Sequence, residues 1–511
     1  MKIQKLTAIL VAGGLVMATA TSCGDKFLTV DNPTAQPIEE YFTTEAHLSE
    51  AMVAAYSPLF WTDWSDGQYA PIILMSDIMA DQIWVGGADA TDNKFWHLMA
   101  NYSAVPTDCL TSVWSEYYSG VKRCNDVLKY KGWVENLPES VAKSYEAQAR
   151  VLRVYYYSWM WKFWGNIVYY EENLQYPYTG DQLPADEVYA KMMADLEGAI
   201  ALNALPMYWE GIDIGRVSLS MAYMLYAELS MYQKDESRLP KALEYMKAII
   251  ADPHFALDPD YAHIFTKDGE WSSESIFEID YKDADQIRSY DDTKQAGGTW
   301  LPQLISPNNL KNQGSYAGGW GFGPVMTATY KMYADGDVRR DATCMVATGT
   351  YDARYQDTGL FLEKYVAKAE YRGSTGAGDC QFGNNFRMYR YAETLLNAAE
   401  LVVGGYGQGE AKTWLNLVHK RAGLTDEIEA TLENIKQERR LEFVGEGKRY
   451  WDLIRWGDAA STLVPCEDEG FTDLARSKGR SGSWSEAKKY LPIPQSEIDA
   501  SQNTLKQNPG Y

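Results

Sequence analysis

Cysteine and histidine are scarce in this chain, which has six cysteines and five histidines among its 511 residues. The sequence contains no Cys-x-x-Cys pair and no His-Glu-x-x-His run. Protein zinc sites and dense disulfide frameworks rely on such close spacings. Metal catalysis therefore gets little support, and we expect neither a metal nor another cofactor.

Positive charge is also in short supply. The chain has 47 Lys and Arg against 70 Asp and Glu, which gives a formal net charge of −23. A protein that binds nucleic acid needs a basic surface to neutralise phosphates. We therefore expect no nucleic-acid partner, and a well-solvated acidic surface that suits neutral or cationic ligands.

Flexible linkers are a third absence. No Gly/Ser-rich or Pro-rich segment divides the sequence, and the densest glycine stretches lie inside otherwise patterned regions. Domain boundaries usually fall in such linkers. We predict one domain over residues 23–511, preceded by a signal segment at residues 1–22.

That N-terminal segment has the layout of a secretory signal. Two lysines within Met1–Lys5 precede the uncharged stretch Leu6–Ser22, which matches the usual charged and apolar regions. A single-pass membrane anchor is the competing interpretation, but a Gly-Gly pair and several threonines leave too few strongly apolar residues for spanning. Small residues then lead to Cys23, as in a bacterial lipobox, although Ala20 stands where that motif usually has Leu. We predict acylation of Cys23, and a plain secretory cleavage site is the alternative.

Aromatic residues are abundant, with 17 Trp, 37 Tyr and 14 Phe. Flat rings fill protein cores, and on a surface they stack against the C–H faces of sugar rings. Both uses have to be weighed for each aromatic residue.

The clearest helical pattern lies in SYEAQARVLRVYYYSWMWKF, residues 144–163. Apolar residues recur there at intervals of three and four, which marks one face of a helix. The stripe consists of Tyr145, Ala149, Leu152, Tyr156, Trp159 and Phe163. We predict that it faces the core.

Helix pairs recur along the chain. Residues 220–232 predict one helix, and its partner begins at Pro240 and ends before Pro253, since proline fits the first helical turn and stops a helix. A similar pair is predicted at 387–403 and 410–423. Recurrent pairs of this size indicate tetratricopeptide-like units.

Periodicity is lost between residues 258 and 381, where Gly, Pro and Asn surround Trp300, Tyr316 and Trp320. Long irregular stretches inside a compact protein are more often functional than incidental. An exposed indole costs hydrophobic free energy unless a partner such as a sugar face covers it. We predict that these three aromatics line a ligand site, and burial beneath the loop is the alternative.

Three charged motifs have structural explanations. Alternating signs at helical spacing in ERRLEFVGEGKRYWD, residues 438–452, predict ion pairs that fix the fold rather than an acid/base cluster. We interpret ADGDVRRD, residues 334–341, as a turn with local arginine pairing, because it lacks the ligand pattern of a calcium loop. The acidic pairs 171–172 and 291–292 predict charged surface, because adjacent carboxylates do not flank a glycosidic bond.

Several motifs in a fixed order resemble the SusD/RagB family of outer-membrane nutrient-binding lipoproteins. The C-terminal ones are NFRMYRYAETLLNAAELV, LNLVHKRAGL, IKQERRLEFVGEGKRYWDLIRWG, YLPIPQSEID and LKQNPGY. YYYSWMWKFWGNIVYY resembles the aromatic helix of that family, and Cys23 stands where the family has its lipidated residue. The resemblance covers nearly the whole chain.

This resemblance implies a mainly α fold, with about four tetratricopeptide-like helix pairs, minor β structure and long irregular ligand-binding loops. It also implies a surface-exposed, lipid-anchored outer-membrane protein without enzymatic activity. Such a protein captures oligosaccharides and delivers them to a SusC-type TonB-dependent transporter. The family places an irregular early segment among the ligand-facing loops, which adds Trp84, Trp96, Asp81 and Asn93 to the candidate site residues.

Two other functions stay open from the sequence. A peptide-binding member of the same family would keep the scaffold and change the ligand. A helical glycoside hydrolase would use similar aromatic platforms, but it needs a general acid and a base or nucleophile on defined elements, and the sequence shows no such pair.

Overall fold

A computed structural model describes residues 36–283, 288–374, 378–502 and 504–511 of the protein. The predicted signal segment and Cys23 lie outside the described residues. Within the described part of the chain, ten helices have eight or more residues. They are α1 (Glu45–Tyr56), α2 (Ser112–Tyr130), α3 (Glu139–Trp164), α4 (Ala185–Ala201), α5 (Leu219–Gln233), α6 (Leu239–Ala251), α7 (Tyr391–Val403), α8 (Ala411–Arg421), α9 (Leu432–Glu442) and α10 (Arg449–Trp456).

Shorter helices and a few strands occupy the connections between these long helices. The short helices are Ile38–Tyr41, Pro58–Trp61, Ile72–Asp77, Lys94–Ala100, Leu301–Ile305, Thr327–Lys331, Arg339–Thr343, Ala459–Thr462 and Gln495–Ala500. The strands are β1 (Ile167–Val168), β2 (Gln182–Leu183), β3 (Ser275–Ile279), β4 (Cys344–Val346), β5 (Leu360–Leu362), β6 (Phe386–Arg390), β7 (Cys466–Glu467) and β8 (Gly479–Arg480). They form the antiparallel pairs β1–β2, β3–β6, β4–β5 and β7–β8.

The long helices stack in chain order. Each of α1 to α7 packs against the next helix in the sequence, and α9 and α10 pack across the stack on α7 and α5. Consecutive antiparallel helices that contact mainly their neighbours form a solenoid, as tetratricopeptide repeats do. The prediction of a mainly helical fold with minor β structure is confirmed.

Helix α3 carries the predicted aromatic stripe. All six stripe residues are buried, with Trp159 at 5% exposure and Phe163 at 1%. The helix ends at Gly165, which has a φ of +67°, and a Cβ there would lie 2.6 Å from the Tyr490 ring. Glycine therefore permits both the left-handed backbone and the close approach of that ring.

The predicted helix at 387–403 needs a correction. Residues Phe386–Arg390 form strand β6, and helix α7 begins only at Tyr391. Strand β6 pairs with β3, and every residue of both strands is buried. The apolar pattern runs on without a break from the strand into the helix, so the sequence does not mark the boundary. Pairing with β3 outweighs the weak local preference of these residues for helix.

Buried charges join the helical stack to the loop-rich segment. Their side chains form what we call the ionic cluster: Arg339, Lys364, Arg390, Arg421, Glu274, Glu438, Glu442 and Glu446. Arg390 contacts Glu446 at 2.7 Å and Glu442 at 3.1 Å. Burial alone would raise the pKa of Glu442, but neighbouring arginines lower it to about 2.

Two of the three charged motifs, residues 334–341 and 438–452, are part of this arrangement or adjoin it. The Nη2 of Arg339 lies 2.8 Å from Asp337, and its Nη1 lies 2.5 Å from Glu438. Arg439 pairs with Asp452 at 2.9 Å. The interpretation of these motifs as local pairing and fold-fixing ion pairs is confirmed.

None of the helices in the described residues combines the length and apolar character that a membrane span requires.

We expect Trp159→Ala to lower the free energy of unfolding by about 3–5 kcal/mol, because it removes a large buried aromatic ring. The ring also lies 3.7 Å from the Nζ of the buried Lys162, which would lose a cation–π partner. Chemical denaturation of the purified protein measures the change. Trp133→Ala, at a half-buried site, is the control and should cost less. Equal losses in the two variants would show that the stripe is not the core of the stack.

We expect Glu442→Gln to destabilise the protein by about 3–5 kcal/mol near pH 7, because it removes a negative charge that the buried Arg339, Arg390 and Arg421 share and leaves the buried cluster with uncompensated positive charge. A carboxylate with a lowered pKa stabilises the fold above its unfolded pKa, near 4.5, and loses that effect as pH falls to its folded pKa, about 2. The difference from the parent protein should therefore shrink between pH 4.5 and pH 2.

Denaturation curves across this pH range test the expectation. The exposed Glu244→Gln, which breaks a surface pair with Lys241, is the matched control and should change stability little at any pH. A Glu442→Gln deficit that stays constant from pH 7 to pH 2 would contradict the assigned charge state.

Candidate functional site

Four aromatic side chains from three separate segments meet at the surface. This aromatic patch consists of Trp64, Tyr69, Tyr290 and Trp320. The Trp64 ring lies 4.2 Å from Tyr69 and 6.0 Å from Tyr290, and Tyr69 lies 5.4 Å from Trp320, between ring centroids. Tyr290 is 41% exposed, and the other three rings are half-buried. The patch therefore offers aromatic surface to solvent.

A fully buried tryptophan supports the patch from below. The Trp300 ring lies 5.7 Å from Tyr290 and 6.4 Å from Trp64. The Arg288 guanidinium sits 4.6 Å above the Trp300 ring and pairs with Asp63 at 2.6 Å. The other Asp63 oxygen accepts the backbone N–H of Trp300 at 3.0 Å. One buried ion pair thus fixes both the backbone and the ring of Trp300.

Further contacts fix the backbone of Tyr69 and Trp320. The Nε1 of the buried Trp96 donates to the Tyr69 carbonyl at 2.8 Å. The backbone N–H of Trp320 donates to the Gln303 carbonyl at 2.7 Å, and Arg354 donates to the Trp320 carbonyl at 2.6 Å. The close approach of the 319–320 backbone to the Gln303 carbonyl requires glycine at position 319, since a Cβ there would lie 2.3 Å from the Gln303 oxygen.

Polar groups border the patch. The Tyr290 hydroxyl donates to Asp379 at 3.1 Å, and Arg372 contacts the other oxygen of that carboxylate at 3.3 Å. Burial raises the pKa of Tyr290, so its phenol stays protonated as a donor. Two residues after Trp64 in the sequence, the exposed Asp66 accepts a hydrogen bond from Ser115. The Asp379 carboxylate and the Arg372 guanidinium thus lie beside the exposed Tyr290 ring.

This arrangement suits binding of a polar ligand with apolar faces. Aromatic rings that are locked by their neighbours contribute contact area with little rotamer entropy to lose, and nearby carboxylate and guanidinium groups orient hydroxyls. Sugar rings have such C–H faces and hydroxyl edges.

The structure brings three of the predicted site residues to this region. Trp320 belongs to the patch itself. Trp96 and Trp300 are fully buried at 0% exposure and contact patch residues from beneath. The Trp96 and Trp300 rings therefore support the patch from inside the protein. The expectation that they present a face to a ligand is wrong, because the segments around them are packed and bury both rings.

The remaining predicted site residues make contacts outside the patch. Trp84 is 3% exposed, and its Nε1 donates to Asp468 at 3.0 Å. Asp81 pairs with Arg449 at 2.8 Å and with Arg440 at 3.3 Å. Both side chains are thus occupied by internal partners.

Tyr316 and Asn93 also have local structural partners. The half-buried Tyr316 donates its hydroxyl to Glu363 at 3.0 Å. Asn93 has a φ of +49° and directly precedes the short helix Lys94–Ala100, and its amide lies 3.4 Å from Asp92. Asparagine is one of the non-glycine residues that most often adopt this left-handed backbone.

Sequence reasoning did not select Trp64, Tyr69 and Tyr290. Trp64 lies in the irregular early segment and shares its Asp and Gly context with Trp84, so composition could have included it. Tyr69 and Tyr290 have no local signal, because their exposure depends on contacts across more than 200 residues of sequence.

The comparisons with known proteins agree with this structure. A profile of the SusD family matches residues 340–511, and one described as starch-binding, associating with outer membrane, matches residues 79–213. A SusD-like protein, P2, from Formosa agariphila is 23% identical over the full length of both chains.

Solved structures give closer matches. Surface glycan-binding protein A from Bacteroides thetaiotaomicron, in complex with laminarihexaose, is 52% identical, with a TM-score of 0.85 over 91% of this chain and 100% of that chain. The protein of the same name from Bacteroides fluxus is 39% identical, with a TM-score of 0.85 over 92% of this chain and 100% of that chain. At this identity and coverage, the chain belongs to the SusD/RagB family.

Proposed function

We propose that this protein is a non-catalytic glycan-binding protein that holds oligosaccharides on the aromatic patch. The observation that carries the proposal is the set of half-exposed rings of Trp64, Tyr69, Tyr290 and Trp320 beside the polar group Asp379. An exposed aromatic surface of this kind is stabilised when an apolar ligand face covers it.

The proposed ligand class is a neutral, laminarin-type oligosaccharide. The 52% identical relative was solved with laminarihexaose. A second structural neighbour, 26% identical with a TM-score of 0.81, is a laminarin-binding SusD-like protein. The net charge of −23 also favours a neutral glycan over an anionic one.

Hydrolysis is the less supported alternative. The neighbouring solved structures are named as binding proteins. Beside the patch, the Asp379 carboxylate contacts Arg372 and accepts the Tyr290 hydroxyl, whereas a glycosidase needs two carboxyl groups that face the scissile bond. Incubation with laminarihexaose and analysis of the products tests this point, and any turnover that one carboxylate substitution abolishes would overturn the proposal.

We further propose that the protein acts at the outer membrane and passes its ligand to a SusC-type TonB-dependent transporter. The family membership and the description of the matching profile as associating with outer membrane support this location. Lipidation of Cys23 would supply the anchor, at about 0.8 kcal/mol for each buried methylene.

Removal of a patch ring should weaken binding without unfolding the protein. For Tyr290→Ala and Trp320→Ala we expect laminarihexaose affinity to fall by about 2 kcal/mol, as for a central aromatic contact. Tm should stay nearly unchanged for Tyr290→Ala, since its ring is 41% exposed. Calorimetric titration and thermal melting provide the two readouts.

Two control variants distinguish a lost ligand contact from a loss of stability. Tyr176→Ala removes a tyrosine that is 85% exposed outside the patch and should leave the affinity unchanged. Trp300→Ala should lose stability together with binding, because that ring is buried. Unchanged affinity in both Tyr290→Ala and Trp320→Ala would place the ligand site elsewhere.

For Cys23→Ala we expect the protein to leave the membrane fraction while keeping its Tm, because the acyl chains would be the anchor and lie outside the folded stack. Fractionation of cells followed by immunoblotting measures the distribution. The substitution Cys466→Ala, at an exposed free cysteine, should leave the distribution as it is. Membrane association of Cys23→Ala equal to that of the parent protein would reject the lipid anchor.

A further inference from the structure

A second aromatic surface lies in a cleft of about 350 Å³ between helix α2, the loop at 174–180 and the C-terminal segment. Its aromatic lining consists of Trp114, Tyr118, Tyr170 and Tyr178. This volume falls in the range of small-molecule sites, which begins at about 300 Å³. We call this feature the aromatic cleft.

The rings of the aromatic cleft are held in place before any ligand arrives. Tyr118 lies 5.0 Å from Trp114 and 6.1 Å from Tyr170, and the Tyr118 and Tyr170 ring planes differ by only 11°. The Tyr118 hydroxyl donates to the Val168 carbonyl at 2.8 Å. Tyr178 is 69% exposed at the edge. Fixed rings with one exposed neighbour form a platform of the same kind as the aromatic patch.

The charge of the lining restricts the ligand. The described residues that line the cleft include one acid, Glu497, and no Lys, Arg or His. Burial raises the pKa of Glu497, and the nearby Asp66 carboxylate adds to that rise. Hydroxyl groups of serine and threonine complete the polar part of the lining. Anionic ligands are therefore disfavoured, while a neutral polyhydroxylated ligand finds ring faces and hydrogen-bonding groups.

A short chain of contacts links the cleft to the patch. Ser115 lines the cleft, and its hydroxyl donates to Asp66. Asp66 follows Trp64 of the patch by two residues, so their Cα atoms lie at most about 7 Å apart. One hydrogen bond and one short turn thus connect the two aromatic surfaces.

We propose that the aromatic cleft binds a second segment of the same neutral glycan chain that the patch holds. This inference rests on the proposed function of the patch. Two linked contacts raise the affinity for a long chain, because the second contact forms at a high effective concentration once the first has formed. A chain too short to reach both surfaces gains nothing from the cleft.

The test compares laminarin polymer with laminaritriose on the purified protein. For Tyr178→Ala and Tyr170→Ala we expect laminarin affinity to fall by about tenfold, with laminaritriose affinity unchanged. Tyr176→Ala is the matched control, since it removes a more exposed tyrosine of the same loop that does not line the cleft. Tm confirms folding, and the exposed Tyr178 is the variant that cannot fail through lost packing.

The outcomes separate this inference from the proposed function. Laminarin affinity that is equal in the parent protein, Tyr178→Ala and Tyr170→Ala would overturn the role of the cleft, while a loss in Tyr290→Ala would still support the patch. Laminaritriose binding that Tyr178→Ala abolishes and Tyr290→Ala leaves intact would overturn both, because the cleft would then be the primary site.

Discussion

The fold depends on a set of charges from which water is excluded. In the ionic cluster, arginines from strand β6, helix α8 and the loop-rich segment surround glutamates of helix α9 and its neighbours. Removing one member of a buried pair leaves an uncompensated charge, which lowers the free energy of unfolding by about 3–5 kcal/mol. Because Arg339 and Lys364 belong to residues 258–381, the cluster ties the segment that carries Trp300 and Trp320 to the helical stack. The irregular loops thereby gain a rigid base.

A second buried pair repeats this principle at the site. Asp63 and Arg288 come from segments 225 residues apart, yet together they hold the backbone and ring of Trp300. The exposed rings above it therefore rest on a packed layer rather than on a mobile loop. Rings that are already ordered lose little entropy when a ligand covers them, which favours affinity from a small contact area.

The scaffold could be predicted from the sequence to a greater extent than the site. The stripe of helix α3 repeats within 20 residues, so local periodicity identifies both the helix and its buried face. The site depends on contacts between Trp64, Tyr69, Tyr290 and Trp320, and no local pattern encodes their proximity. Glycine and proline around Trp300 suggested exposure, but the segment packs as a buried layer through long-range ion pairs. Asp81 was misleading for the same reason, because its partner Arg449 is 368 residues away.

The form of the site bears on the length of its ligand. A patch of half-exposed rings, unlike an enclosed pocket, would leave both ends of a bound oligosaccharide free to continue across the surface. Under the proposed function, each surface alone would hold few sugar rings, so a single contact would give modest affinity and rapid release. Adjoining surfaces joined through Asp66 and Ser115 would retain a long chain while each contact still exchanges quickly. Such a balance suits a protein that captures a polymer and then gives it up to a transporter, since tight binding at one deep site would oppose the transfer.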